Sequence, residues 1–193
     1  MSQDPVSLQI VRRACESTKR VLDAVDADDL DRPTPCRSWT VSGVINHVVG
    51  SASYFADVAE AGEVADIDED PDFTDKDFKD IFGRESARLV AAFEAPGAMN
   101  KIMKLPIGDL PGSVCVWIAS GDLFTHGWDL AKATGQSTDL DPELAEAILA
   151  RMYTTLPDSM RGPDGEAPFG HKVEVPASAP AADRLAGYLG RTP

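Results

Sequence analysis

Four long segments of this sequence place apolar residues at alternating intervals of three and four positions. This period gathers them on one face of an α-helix, and each such face has to be covered by another element. The first segment shows the pattern in Leu8, Val11, Cys15, Leu22 and Val25. Strand-like alternation is almost absent. The sequence therefore predicts an all-α fold, a four-helix bundle with helices at about residues 5–26, 40–61, 74–94 and 113–134.

The last part of the chain, residues 135–193, is predicted to form a short C-terminal appendage. Asp141 followed by Pro142 is typical of a helix start, so a fifth, shorter helix is expected there. Other expected features are a turn-rich connection at 105–112, a short strand from His171 to Val175 and a small helix from about Ala181 to Leu189. A chain of 193 residues is long enough for one complete core, so we expect a single domain over residues 1–193.

The charge balance narrows the class of partner. The formal net charge of -14 and the isoelectric point near 4.5 repel nucleic acids and anionic membrane surfaces, which leaves small molecules or proteins. No leader segment or membrane-spanning apolar run is evident, so we expect a cytoplasmic protein. Cys15, Cys36 and Cys115 form no CxxC pair and are interpreted as reduced, mostly buried thiols. A homodimer is left open.

An acidic stretch between residues 62 and 77 invites comparison with a calcium-binding loop. Asp66, Asp68 and Asp70 alternate as calcium ligands do. However, Pro71 stands where the sharp turn needs glycine, and Asp77 stands where a bidentate glutamate is needed. We interpret the stretch as a solvated loop.

The fourth helix carries ionisable residues on the stripe that should face the interior. This stripe consists of Cys115, Ala119, Asp122, His126, Asp129 and Ala133. Asp122 and His126 are one turn apart, about 6 Å along the axis, so their side chains can converge on one point. The same spacing is used by helical zinc motifs. Cys115 lies about 10 Å from Asp122 along the helix and is too distant to join them.

A third ligand is available from the second helix. His47 has Gly43, Gly50 and Ser51 beside it on the helix surface, which leaves a hollow. If the two helices face each other, His47, Asp122 and His126 form a two-histidine, one-carboxylate set with open coordination positions. Such a set suits Zn²⁺ first, with Ni²⁺ or Fe²⁺ as alternatives.

Further residues are expected around this set. Asp129 is a candidate to orient a histidine ring, and Ser51 and Tyr54 are candidates to line a pocket with Trp117. Spacing alone leaves three interpretations of Asp122 and His126 open: a hydrogen-bonded core pair, metal ligands, or a metal-free acid-base pair. The indoles of Trp39, Trp117 and Trp128 are interpreted as bundle packing.

Three stretches resemble a known family. They are LDRPTPCRSWTVSGVINHVVG, HGWDLAKATGQ and RLAGYLGRTP. They are similar to the actinobacterial group related to the N-terminal domain of mycothiol-dependent maleylpyruvate isomerase. That group belongs to the DinB-like superfamily of metal-binding four-helix bundles. The resemblance implies a divalent metal held by His47, Asp122 and His126. The isomerase pattern has glutamate where this chain has Asp122.

The resemblance also implies a chemistry. Understood members use the metal to bind and activate a low-molecular-weight thiol such as mycothiol or bacillithiol, so the expected partners are a small-molecule thiol and a small electrophile. We therefore expect a thiol-dependent transferase or isomerase. The isomerase has a further C-terminal domain, so maleylpyruvate isomerisation itself is not expected. The competing hypothesis is a non-catalytic metal-binding or interaction bundle of the same fold.

Overall fold

The computed structural model describes residues 5–64, 72–163 and 166–193. Four long helices form its main body: α1 (Pro5–Asp23), α2 (Val41–Ala61), α3 (Phe78–Glu94) and α4 (Gly112–Ala133). Helix α1 packs on α3 and α4, and α2 packs on the same two helices. The predicted all-α four-helix bundle is confirmed, and it brings α2 and α4 face to face.

Local signals set the helix ends. The Thr40 side chain accepts a hydrogen bond from the backbone of Gly43 at the start of α2, and Gly62 ends that helix at a φ of 95°. The third helix begins at Phe78 rather than near residue 74, because the Asp77 side chain accepts from the backbone N–H of Asp80 and caps it there. The acidic run at Asp66, Asp68 and Asp70 lies outside the described residues.

The turn-rich connection predicted at 105–112 is part of a β-hairpin, so the prediction missed two strands. Strand β1 (Ile102–Leu105) pairs antiparallel with β2 (Gly108–Pro111). Met103 and Leu105 alternate with exposed residues, which is the pattern of a half-buried strand, but each strand has only four residues. The hairpin delivers the chain directly into α4.

The appendage contains the two predicted helices, α5 (Pro142–Thr155) and α6 (Ala181–Tyr188). Asp141 caps α5 by accepting from the backbone N–H of Leu144, as its sequence indicates. The strand predicted from His171 to Val175 was wrong. In this segment Val173 donates to the Gly187 carbonyl of α6, and within the described part of the chain no strand pairs with it.

The core has two parts. The larger hydrophobic cluster fills the bundle, and a second cluster joins α1 and α4 to the appendage through Phe124, Trp128, Ile148 and Leu185. Trp128 is a packing residue as predicted, and its indole N–H donates to Asp183 Oδ1 at 2.8 Å. Among the described residues, no helix is long and apolar enough to cross a membrane.

Candidate metal centre

Three side chains from α2 and α4 meet at the wall of an open cleft. His47 comes from the middle of α2, and Asp122 and His126 project from successive turns of α4. One potential ligand atom from each lies within 4.8 Å of the others. The structure thus brings together the three residues that spacing and resemblance selected.

Asp122 is at the centre of this group. Its Oδ1 and Oδ2 lie 3.0 and 3.2 Å from His47 Nε2, and its Oδ1 lies 3.6 Å from His126 Nε2. Ser51 Oγ donates to Oδ2 at 2.7 Å, so Ser51 supports the carboxylate, but it is not among the residues that line the cleft. Burial works to raise the pKa of Asp122, but the two histidines and Ser51 outweigh it and hold that pKa far below its ordinary value. The carboxylate is therefore ionised.

A buried chain of contacts supports the second histidine. His126 Nδ1 lies 3.0 Å from Oδ2 of Asp129, which is fully buried. This contact engages Nδ1 and leaves Nε2 as the ring nitrogen that faces Asp122. Burial would raise the pKa of Asp129, but His126 and Arg191 lower it overall. Asp129 thus lies in contact with both His126 and Arg191.

Arg191 was not anticipated from the sequence. Its Nε and Nη2 donate to Oδ1 and Oδ2 of Asp129 at 3.3 and 3.1 Å, and its Nη1 donates to the Leu189 carbonyl. It lies 62 residues from Asp129, so no helical spacing could connect them. Its position within the terminal LGR of the third resembling run was the available signal.

Two residues of the loop before α2 also reach the site. Trp39 stacks on His47 with ring centroids 4.6 Å apart, and its indole is 36% exposed, so its assignment to bundle packing was wrong. The loop preceding α2 folds back onto the start of that helix, which places the indole over the imidazole. Cys36 lies with His126 and Asp129 in a second group whose ligand atoms are within 4.8 Å of one another. Because Arg191 already neutralises Asp129, a cation is less favourable there.

The cleft beside His47, Asp122 and His126, here called the triad, has a volume of about 820 Å³. Trp117 lines it as expected, whereas Tyr54 is not among its lining residues and packs against the bundle core instead. The remaining walls come from the loop before α2, from the turn of the hairpin and from the appendage, including α5. Cys115 lies apart from the triad, and burial raises its pKa to about 11. The bundle therefore supplies the three donors, and the appendage encloses the space in front of them.

The donor set fits a divalent transition metal. Two imidazole nitrogens and one ionised carboxylate are the ligand types that Zn²⁺, Ni²⁺ and Fe²⁺ accept, and three protein ligands leave positions open. His126 has its Nδ1 engaged by Asp129, as metal-binding histidines commonly have. His47 and Asp122 also satisfy each other directly, so the group is stable as a hydrogen-bonded cluster.

Comparisons with known proteins identify the family of this chain. Residues 11–131 match the family described as the mycothiol maleylpyruvate isomerase N-terminal domain. Two uncharacterized proteins of Mycobacterium tuberculosis, from strains CDC 1551 / Oshkosh and ATCC 25618 / H37Rv, are each 40% identical over 183 residues, which cover 94% of this chain and 95% of each relative.

A solved structure shares the fold. The crystal structure of the mycothiol-dependent maleylpyruvate isomerase is similar with a TM-score of 0.57 and 20% identity, over 75% of this chain and 66% of the isomerase chain. A mutant of that isomerase gives the same values. This chain thus spans just under two thirds of the length of the isomerase.

Proposed function

We propose that this chain, which belongs to the family of the mycothiol maleylpyruvate isomerase N-terminal domain, a DinB-like group, binds a divalent metal through His47, Asp122 and His126. It then acts on a small electrophile together with a low-molecular-weight thiol. Mycothiol is the first candidate for that thiol. The reaction would be thiol transfer or thiol-assisted isomerisation. The observation that carries this proposal is the convergence of three metal-donor side chains at the wall of an open cleft.

Zn²⁺ is the first choice of metal, with Ni²⁺ and Fe²⁺ as alternatives, since all three accept this donor set. When bound, a divalent cation lowers the pKa of a coordinated thiol and so makes the thiolate nucleophile available near neutral pH. Asp129 holds the Nδ1 side of the His126 ring, and Ser51 holds one oxygen of Asp122. Both contacts fix the donors before any ligand arrives.

The cleft supports an enzyme over the competing non-catalytic bundle. A volume of about 820 Å³ lies within the range of small-molecule sites and has room for a thiol together with a small electrophile. Tightly packed side chains between α2 and α4, with no cleft at the triad, would have favoured the non-catalytic bundle. The direct contact between His47 and Asp122 is the observation that favours a metal-free hydrogen-bonded pair, so metal binding has to be tested separately from turnover.

The experiment for the catalytic step is a thiol-conjugation assay with the full chain reconstituted with Zn²⁺. Mycothiol and a chromogenic aryl halide are supplied, and conjugate formation is followed by absorbance and mass spectrometry. We expect turnover by the wild type that is lost in His47→Ala and His126→Ala. His171→Ala is the matched control, since this exposed histidine lines the cleft but lies outside the triad. Turnover that survives loss of both triad histidines would overturn the proposal.

A further inference from the structure

Most of the formal charges that line the cleft are positive, opposite in sign to the net charge of the chain. The sequence has a formal net charge of -14. Among the described residues that line the cleft, however, Asp122 of the triad is the one carboxylate, and the other formally charged side chains are Arg37, Arg151 and Arg191. A concave wall with one sign of charge concentrates ligands of the opposite sign. The cleft is therefore arranged for an anion.

Of the two cleft arginines that form no ion pair among the described residues, Arg37 is exposed, whereas Arg151 is half-buried and held against an aromatic ring. Its guanidinium lies over the Trp117 ring, 4.7 Å from the ring centroid. Within the described part of the chain it forms no ion pair, whereas Arg191 is engaged by Asp129. Stacking uses the face of the guanidinium and leaves its N–H edge for the two oxygens of a carboxylate. Arg151 also lies beyond residues 11–131, the part of the chain that matches the family.

Thr125 provides an independent indication of a ligand. Its side chain lines the cleft, the residue is only 5% exposed, and its hydroxyl has no hydrogen-bond partner among the described residues. Buried hydroxyl groups are normally satisfied, so an unpaired one at a cleft wall points to a polar atom supplied from the cleft. Thr125 directly precedes His126 in α4.

Trp117, over which Arg151 lies, and Thr125 belong to one strip of α4. Trp117, Gly121 and Thr125 are four residues apart and line the cleft together. From Trp117 to Asp122 the rise along the helix is about 7–8 Å. Gly121 has no side chain between them, and an added Cβ there would meet Met152 Cε of α5 at 3.1 Å. The absence of a side chain keeps α5, and with it Arg151, close to α4.

We propose that this strip binds a small organic carboxylate. The Arg151 edge holds the carboxylate above Trp117, the Thr125 hydroxyl donates to a polar atom further along the ligand, and the reactive end reaches the triad. This inference names the substrate class of the proposed function and rests on it for the reaction. The carboxylate belongs to the electrophile, or to a thiol other than mycothiol, whose cysteine carboxyl is bound in an amide; both sources use the same binding chemistry.

The binding test needs neither metal nor turnover. Succinate is titrated into the metal-free full chain by calorimetry at low ionic strength, with succinamide as the uncharged counterpart. We expect saturable succinate binding that is about tenfold weaker or more in Arg151→Gln, because a charge-assisted bidentate contact is lost. Arg151→Lys should recover only part of the affinity. Arg20→Gln is the matched control, since Arg20 is exposed on α1 away from the cleft lining.

The hydroxyl is tested by Thr125→Val, which keeps the shape and removes the donor. We expect severalfold weaker succinate binding with an unchanged circular dichroism spectrum. Succinate binding that is equal in the wild type and Arg151→Gln, or equal for succinate and succinamide, would overturn the proposal. Binding that survives Arg151→Gln and is lost in His126→Ala would place the anion at the triad and would also overturn it.

Metal uptake by the same variants separates this inference from the proposed function. If Arg151-dependent succinate binding is found but no metal binds, the anion site stands and the metal-dependent reaction fails. Where turnover is measurable, Arg151→Gln should raise by about tenfold either the KM for a carboxylate-bearing electrophile or the KM for the thiol. Which of the two rises identifies the source of the carboxylate. A change in neither would contradict the site.

Discussion

Replacing Asp129 with asparagine tests the buried network behind the metal centre. Asp129 is fully buried and forms an ion pair with Arg191, whose side chain is 10% exposed, as well as the contact with His126. Asp129→Asn keeps the shape but removes the charge, so the guanidinium stays buried without a counter-ion. Breaking a buried pair in this way costs about 3–5 kcal/mol. For a chain of this size, that corresponds to a fall in Tm of roughly 6–20 °C.

The assay is urea unfolding of the metal-free protein at pH 7.5, followed by circular dichroism. Asp183→Asn is the matched control, since Asp183 accepts from the neutral Trp128 N–H and the asparagine carbonyl can accept the same bond. We expect it to change stability by less than about 1 kcal/mol. The double variant Asp129→Asn, Arg191→Met should recover most of the loss, because the unpaired cation is removed with its partner.

Two results would refute this reasoning. One is an Asp129→Asn protein as stable as the Asp183→Asn control. The other is a double variant no more stable than Asp129→Asn alone, which would mean that the loss does not come from an unpaired guanidinium. Zn²⁺ affinity measured on the same proteins should fall by roughly 10–100-fold in Asp129→Asn, because the acceptor that orients the ring of His126 is no longer ionised.

Three further perturbations act on single contacts. Ser51→Ala removes the donor to Asp122 and should weaken Zn²⁺ binding severalfold by calorimetry, and unchanged affinity would contradict the supporting role of the hydroxyl. Burial lowers the pKa of His47, but the Asp122 carboxylate raises it more, so the imidazole begins to take up a proton above pH 6.5 and Zn²⁺ has to displace that proton. Calorimetry should show the Zn²⁺ affinity falling on acidification, by about tenfold per pH unit for each displaced proton. A Zn²⁺ affinity that does not fall would count against His47 as a ligand. Gly127→Ala places a Cβ 2.8 Å from Thr18 Oγ1. The free energy of unfolding in urea should fall by about 1–2 kcal/mol, although alanine has a better helix propensity than glycine. A more stable variant would show that α1 can shift to make room for the added methyl group.

The sequence was sufficient for the bundle and the triad because both depend on helical spacing. The apolar period gives the four helices, and Asp122 and His126 lie on one face of α4, one turn apart, whatever the tertiary structure. The small residues around His47 showed which face of α2 was hollow. The pairing of α2 with α4 was then the one assumption needed, and the structure supplies it.

The remaining features depend on contacts between distant parts of the chain. Arg191 reaches Asp129 across 62 residues, and Trp39 reaches His47 through the fold of a loop, so no periodic pattern records either contact. The strand predicted from His171 to Val175 had the right local pattern but found a helix beside it instead of a second strand. Conversely, the hairpin after α3 consists of strands too short to stand out from their glycine and proline residues.

The measurement that tests the central claim most directly is metal stoichiometry. The untagged full chain is reconstituted with Zn²⁺, passed through a desalting column and analysed by elemental mass spectrometry, beside His47→Ala, His126→Ala and the control His171→Ala. We predict about one equivalent in the wild type and in the control, and little in the two triad variants. Equal metal content in all four proteins, or none in any of them, would contradict a metal centre at His47, Asp122 and His126.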